Sequence, residues 1–158
     1  MRPNNESAYT VMKMGSMPVA FIMQRRAVVH KWGAMDSWSA VGVVPDRGGL
    51  AALQMLSESA ERDYYLVSGI ELELFTDENE GYYENIMAPD SKVFVLWRMV
   101  DGRAMPARAS VSYVEGTRMF DSGEDADGVT MPAEIYQWVA SYLRDNFTPR
   151  PRKGRQHG

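Results

Sequence analysis

The chain has 158 residues, 45% of them apolar, 24% charged and 11% aromatic, and no cysteine. That length suits one domain, and the composition is too apolar for a disordered chain and too polar for a membrane-embedded one. Without cysteine there are no disulfides, thiolate zinc sites, iron–sulfur ligands or thiol nucleophiles, and the formal net charge of −4 is unevenly spread.

Four of the 17 basic residues, Arg150, Arg152, Lys153 and Arg155, lie in the last nine positions, so the body before them, which holds all 21 acidic residues, stands at −8. An acidic body repels phosphate backbones, which argues against nucleic acid as a partner. No stretch approaches the ~20 apolar residues of a spanning helix. After Arg25-Arg26 only Ala27, Val28 and Val29 follow before His30 and Lys31, too few for an export signal. No membrane association is expected, and the expected location is the cytoplasm.

Residues 1–16, with Pro3, Asn4, Asn5 and Gly15, read as a loose leader. From Pro18 the alternation of Val19, Phe21 and Met23 with Ala20, Ile22 and Gln24 predicts a central strand ending at Arg25 and Arg26. A loop holding His30, Trp32, Gly33 and Trp38 follows, and Trp38 to Val44 predicts a second strand closed by the turn Pro45-Asp46-Arg47-Gly48-Gly49. Leu50, Leu53 and Leu56 suggest a weak short helix over 50–61. Tyr64 to Val67 and then Ile70, Leu72 and Leu74, alternating with Glu71 and Glu73, predict half-buried strands. Tyr82, Tyr83, Asn85 and Ile86 read as a further strand, Val93 to Trp97 as a sheet centre, Asp101-Gly102 as a tight turn and Ala107 to Val114 as the last strand.

The period then changes. Pro132 suits a first helical position, Glu134 suits the positive end of the dipole, and Ile135, Trp138, Val139, Tyr142, Leu143 and Phe147 form one apolar stripe. The expectation is an α+β domain over 17–148: an antiparallel sheet of about seven strands, a meander or curled barrel, followed by one C-terminal amphipathic helix. Pleckstrin-homology-like barrels share that order of elements. Residues 149–158 read as a solvated basic tail.

The tests for chemistry give no catalytic residue, metal ligand or cofactor. His30 and His157 are the only imidazoles, and no Gly-x-Ser-x-Gly elbow, Gly-x-Gly-x-x-Gly loop or P-loop occurs. Asp77, Asn79 and Gly81 resemble the opening of a calcium loop, but the sixth position, which requires glycine, is Tyr82. Asp121, Glu124, Asp125 and Asp127 read as a solvated turn. What stands out is a set of large aromatics beside arginines. Trp97 has the neighbours of a core residue, leaving Arg25, Arg26, Trp32, Trp38 and Arg98 as candidates for contacting a protein partner.

Several strings in order, from Pro18 to Arg26, Trp38 to Pro45, Glu80 to Asn85, Val93 to Met99 and Met131 to Glu134, resemble an uncharacterised proteobacterial family of short cytoplasmic proteins, domain-of-unknown-function family 3305. The resemblance covers about residues 17–153. Its members are usually encoded beside formate dehydrogenase and other molybdenum-enzyme genes. The resemblance supplies no catalytic residues. It implies a non-catalytic accessory or assembly protein, or a small subunit, that binds a component of a formate dehydrogenase system or its maturation machinery. The alternatives are a small-ligand or molybdopterin-type cofactor carrier, holding an anionic group against Arg25, Arg26 or Arg98, and an unfamiliar enzyme. If Arg25 and Arg26 are exposed contact residues, replacing both by alanine should leave thermal stability nearly intact.

Overall fold

The computed structural model describes residues 10–150. Among these residues, seven strands form two antiparallel sheets. Strands β1 (Lys13–His30), β2 (Gly33–Pro45), β3 (Leu53–Glu58) and β4 (Arg62–Phe75) build a four-stranded sheet in the order β2-β1-β4-β3. Strands β5 (Lys92–Val100), β6 (Arg103–Ser110) and β7 (Asp125–Thr130) build a three-stranded sheet in the order β6-β5-β7. Helix α1 (Asn79–Met87) joins the sheets, α2 (Tyr113–Asp121) lies between β6 and β7, and α3 (Ala133–Asn146) follows β7.

Alternation along the central strands explains how these layers stack. Val19, Phe21 and Met23 of β1, with Tyr65 and Val67 of β4, share one core cluster with Val93, Val95 and Trp97 of β5. The intervening residues of β5, Phe94 and Leu96, point the other way and pack on Met119 of α2. The unbroken apolar run of β5 therefore reflects a strand covered on both faces. Close approach of α2 depends on Gly116, where a Cβ would stand 2.5 Å from the Phe94 ring. Ile135, Val139 and Leu143 of α3 and Tyr82 and Ile86 of α1 enter the main core beside β1 and β4.

Polar side chains complete the frame. Buried Asn85 donates to the carbonyls of Lys92 (2.7 Å) and Val111 (2.8 Å) and accepts from the Lys92 amide (3.0 Å), fixing the start of β5. Asp127 of β7 accepts from the Trp97 indole (2.8 Å) and from the Ala40 amide of β2 (2.9 Å), tying the two sheets together. The Tyr65 hydroxyl donates to the carbonyl of Ala104 in β6 (2.6 Å), and burial pushes that hydroxyl up to about 12.

The mixed α+β class, the antiparallel pairing and the C-terminal helix agree with the sequence reading, but the single sheet does not. Among the described residues the strands divide between two sheets and form no closed barrel, which removes the likeness to pleckstrin-homology barrels. Residues 53–58 are an edge strand and not a helix: they pair with β4 from Leu53 opposite Val67 to Glu58 opposite Asp63, and Leu56, skipped by the register shift between Met55 and Ser57, is exposed and does not share an apolar stripe with Leu53. Tyr82 to Ile86 belong to a helix whose buried residues, Gly81, Tyr82, Asn85 and Ile86, recur with helical period; aromatic strand propensity misleads there. Helix α2 carries a readable start signal, Ser112 capping the Glu115 amide (3.2 Å), inside what reads as the end of a strand. Asp125 and Asp127 lie in a strand, not in a solvated turn. Residues 13–16 of the expected leader already pair with β4. Most of that leader and of the basic tail lies outside the described residues.

Candidate functional site

The expected loop between the first two strands is a projecting hairpin. Pairing of β1 with β4 ends at Arg26 opposite Arg62, yet β1 and β2 continue alone through Ala27–Asp36, Val28–Met35, Val29–Ala34 and His30–Gly33. Lys31 and Trp32 make the two-residue turn, and Gly33 follows at φ 122°, a backbone that disfavours any side chain. Trp32 is 83% exposed at the tip, flanked by Val29 at 81% and Met35 at 62%. The Lys31 ammonium sits 5.3 Å from the centroid of the Trp32 ring, and the Trp32 amide donates to His30 Nδ1.

The base of this ribbon is locked by Arg25. Its Nε donates to Asp63 Oδ2 of β4 (2.7 Å), one terminal nitrogen to Asp36 Oδ1 of β2 (2.9 Å), and the other to the carbonyl of Ser59 (2.9 Å). Three separate segments thus meet on one guanidinium, whose fork suits several acceptors at once. Hydrogen bonding from Arg25 holds the Asp63 carboxyl below the usual aspartate range, and the two carboxylates raise Arg25 in turn. Arg25 is therefore a structural anchor, largely covered and engaged by Asp36 and Asp63, whereas the expectation of two exposed arginines holds for Arg26 alone. The physical reason is period two: neighbours on a strand face opposite ways.

Arg26 lies on the opposite face, exposed, across from Ser37 and Arg62. Trp38 is half-buried beside Arg25, with its ring edge-on to Tyr65 at 6.4 Å. Trp97 is core, as its neighbours imply. Arg98 is exposed on the three-stranded sheet and engaged with Glu124 (2.7 Å), and among the described residues no bond joins it to the hairpin. The structure thus gathers Arg25, Arg26, Trp32 and Trp38 along one ribbon and leaves Arg98 elsewhere. Val29, Met35 and Arg62 were not singled out by the sequence. Gly33 between the short apolar runs Ala27–Val29 and Ala34–Met35 is a turn signal that could have exposed Val29 and Met35, whereas Arg62 meets Arg26 only through strand register.

Away from this ribbon, a concavity of about 430 Å³ lies over the outer face of the three-stranded sheet, where Phe94 is flanked edge-on by Tyr113 and Phe120, with Lys92 among the residues lining it. Among the described residues no three His, Asp or Glu side chains are grouped so as to hold a metal ion. None of their helices is long and apolar enough to cross a membrane.

The chain matches no curated protein and no protein of solved structure. A family model described as Protein of unknown function (DUF3305) matches residues 18–156, from within β1 to beyond α3, and the chain belongs to that family.

Proposed function

We propose that this chain is a non-catalytic accessory or assembly protein of the cytoplasm whose projecting hairpin binds a protein component of a formate dehydrogenase or related molybdoenzyme system. One observation carries the binding role: Trp32 stands 83% exposed at the tip of a ribbon whose base is fixed by Arg25. An exposed tryptophan next to valine and methionine is a costly surface in water and an effective anchor in a partner's pocket. A rigid base reduces the ordering entropy lost on docking. The choice of partner rests on the sequence resemblance to a proteobacterial family usually encoded beside formate dehydrogenase genes.

Tagged formate dehydrogenase subunits should retain the full chain when both are expressed together. Trp32→Ser should lower that capture by about tenfold, the loss of one aromatic anchor, while leaving the melting temperature unchanged. Failure of the unaltered chain to be captured would remove the partner. Full capture of the Trp32→Ser variant would remove the hairpin.

A second reading, a small-ligand carrier, draws support from the aromatic cavity beside Phe94. The purified protein would then carry a chromophore or bind a planar anion measurably by calorimetry, and an empty spectrum with no heat of binding would dismiss it.

A further inference from the structure

Register sorts charge between the two faces of the four-stranded sheet. From Met23 toward the hairpin tip, Asp36, Glu58 and Asp63 occupy inward positions in register with Ala27, Asp63 and Arg25, and the Arg25 network lies on that side. The outward positions of the same stretch are Gln24, Ser39, Tyr64 and Ser57 in one row, Arg26, Ser37 and Arg62 in the next, then Val28 and Met35. No aspartate or glutamate stands among them, in a chain with more acidic than basic residues.

Arg26 and Arg62 face one another directly on neighbouring strands, an arrangement that is unfavourable for like charges unless something neutralises them. Both are exposed, and among the described residues neither side chain has an ion-pair partner; Glu61, in the turn before β4, pairs with neither. Their backbones are held in place, because the Ala27 amide donates to the Glu61 carbonyl (2.8 Å) and the Arg62 amide to Ser59 Oγ (3.0 Å). The row beneath is ordered too: Gln24 donates to the Tyr64 hydroxyl (3.1 Å) and accepts from Ser39 (3.4 Å). Two guanidinium forks on a fixed base, beside an apolar row, complement a carboxylate next to an apolar side chain.

We propose that this outward face docks an acidic segment of a partner protein, a carboxylate held between Arg26 and Arg62 and an adjoining apolar side chain resting on Val28 and Met35. The proposal rests on the hairpin reading and specifies the partner's chemistry.

The test uses the full chain, isotope-labelled, titrated with a short soluble peptide alternating glutamate and leucine. Amide resonances of Arg26, Ser37, Arg62 and Met35 should move together, and added salt should weaken the binding. Combined Arg26→Gln and Arg62→Gln should reduce affinity by about tenfold or more with folding intact, and combined Arg26→Lys and Arg62→Lys should fall between, since lysine keeps charge but not the fork. Equal binding of a glutamine-for-glutamate peptide, shifts located elsewhere, or no shifts at millimolar peptide would overturn the proposal. So would tighter binding of a single-stranded oligonucleotide or of inorganic phosphate to the same residues, which would mark a general anion surface. The capture experiment separates the two readings: if the double glutamine variant is captured normally while Trp32→Ser is not, the acidic-segment proposal fails and the hairpin stands. Normal capture of both variants removes both.

Discussion

Arg25 and Asp63 face each other across β1 and β4, Nε to Oδ2 2.7 Å, with side chains only 16% and 17% exposed. Arg26, the next residue, points to the other face of the sheet and meets Arg62. One dipeptide therefore supplies an internal clamp and an external charge.

The two arginines should separate cleanly in thermal melts. Arg25→Ala leaves Asp36 and the Ser59 carbonyl without the guanidinium and Asp63 with only the Ser59 amide (3.3 Å), and the midpoint should fall by roughly 5 °C or more. Arg26→Ala removes an exposed charge facing a like charge, and its midpoint should stay level or rise slightly. Equal falls in both would show that the face assignment is wrong.

Acid should undo the clamp. Because Asp63 is held below its ordinary value in the folded chain, the unfolded chain takes up the proton first as pH drops. The clamp's contribution is complete above about pH 4, the range of an unfolded aspartate, and is lost as pH falls through the folded value. Urea midpoints of the unaltered chain and of Asp63→Asn should differ at neutral pH and draw together as pH falls below the range of an unfolded aspartate. Glu124 is also held low, by Arg98, but that exposed pair is screened by water, so Glu124→Gln should change the midpoints little at any pH.

Packing of α2 depends on one absent methyl group. Gly116→Ala places a Cβ 2.5 Å from Phe94 Cγ, against a ring wedged between Tyr113 and Phe120. Overpacking of this kind costs about 1–3 kcal/mol even though alanine is the better helix former. Adding Phe94→Leu should recover part of the loss, so a double-mutant cycle by urea unfolding should be clearly non-additive. Additivity would mean that the helix shifts freely.

Beside the Tyr65–Ala104 bond, a second link between the sheets runs through a single carboxylate oxygen, Asp127 Oδ2. Asp127→Ala orphans both the Trp97 indole N–H and the Ala40 amide, for which about 2 kcal/mol or more of destabilisation is expected. Trp97 fluorescence should change in the folded state as its hydrogen bond is lost. A neutral substitution with unaltered emission would show that water replaces the carboxylate without loss.

Alternation and helical period made much of the secondary structure readable: β1 near Val19 to Met23, the doubly apolar β5, the Asp101-Gly102 turn (φ 52° and 79°) and the stripe of α3 all follow from short-range pattern. Family membership was legible for the same reason, through local strings. Composition excluded cysteine chemistry outright. The division into two sheets was not legible, because pairing partners such as Arg26 and Arg62 lie far apart along the chain and register is set by bulges that no local window displays. Tyr82 and Tyr83 misled because aromatic residues suit strands and helices alike until burial selects one period. The sequence by itself determined which side chains could act, the arginines and tryptophans around the first hairpin. Only tertiary structure decided their roles, since the face that a residue takes and the charges opposite it fix whether a guanidinium clamps the fold or meets a partner.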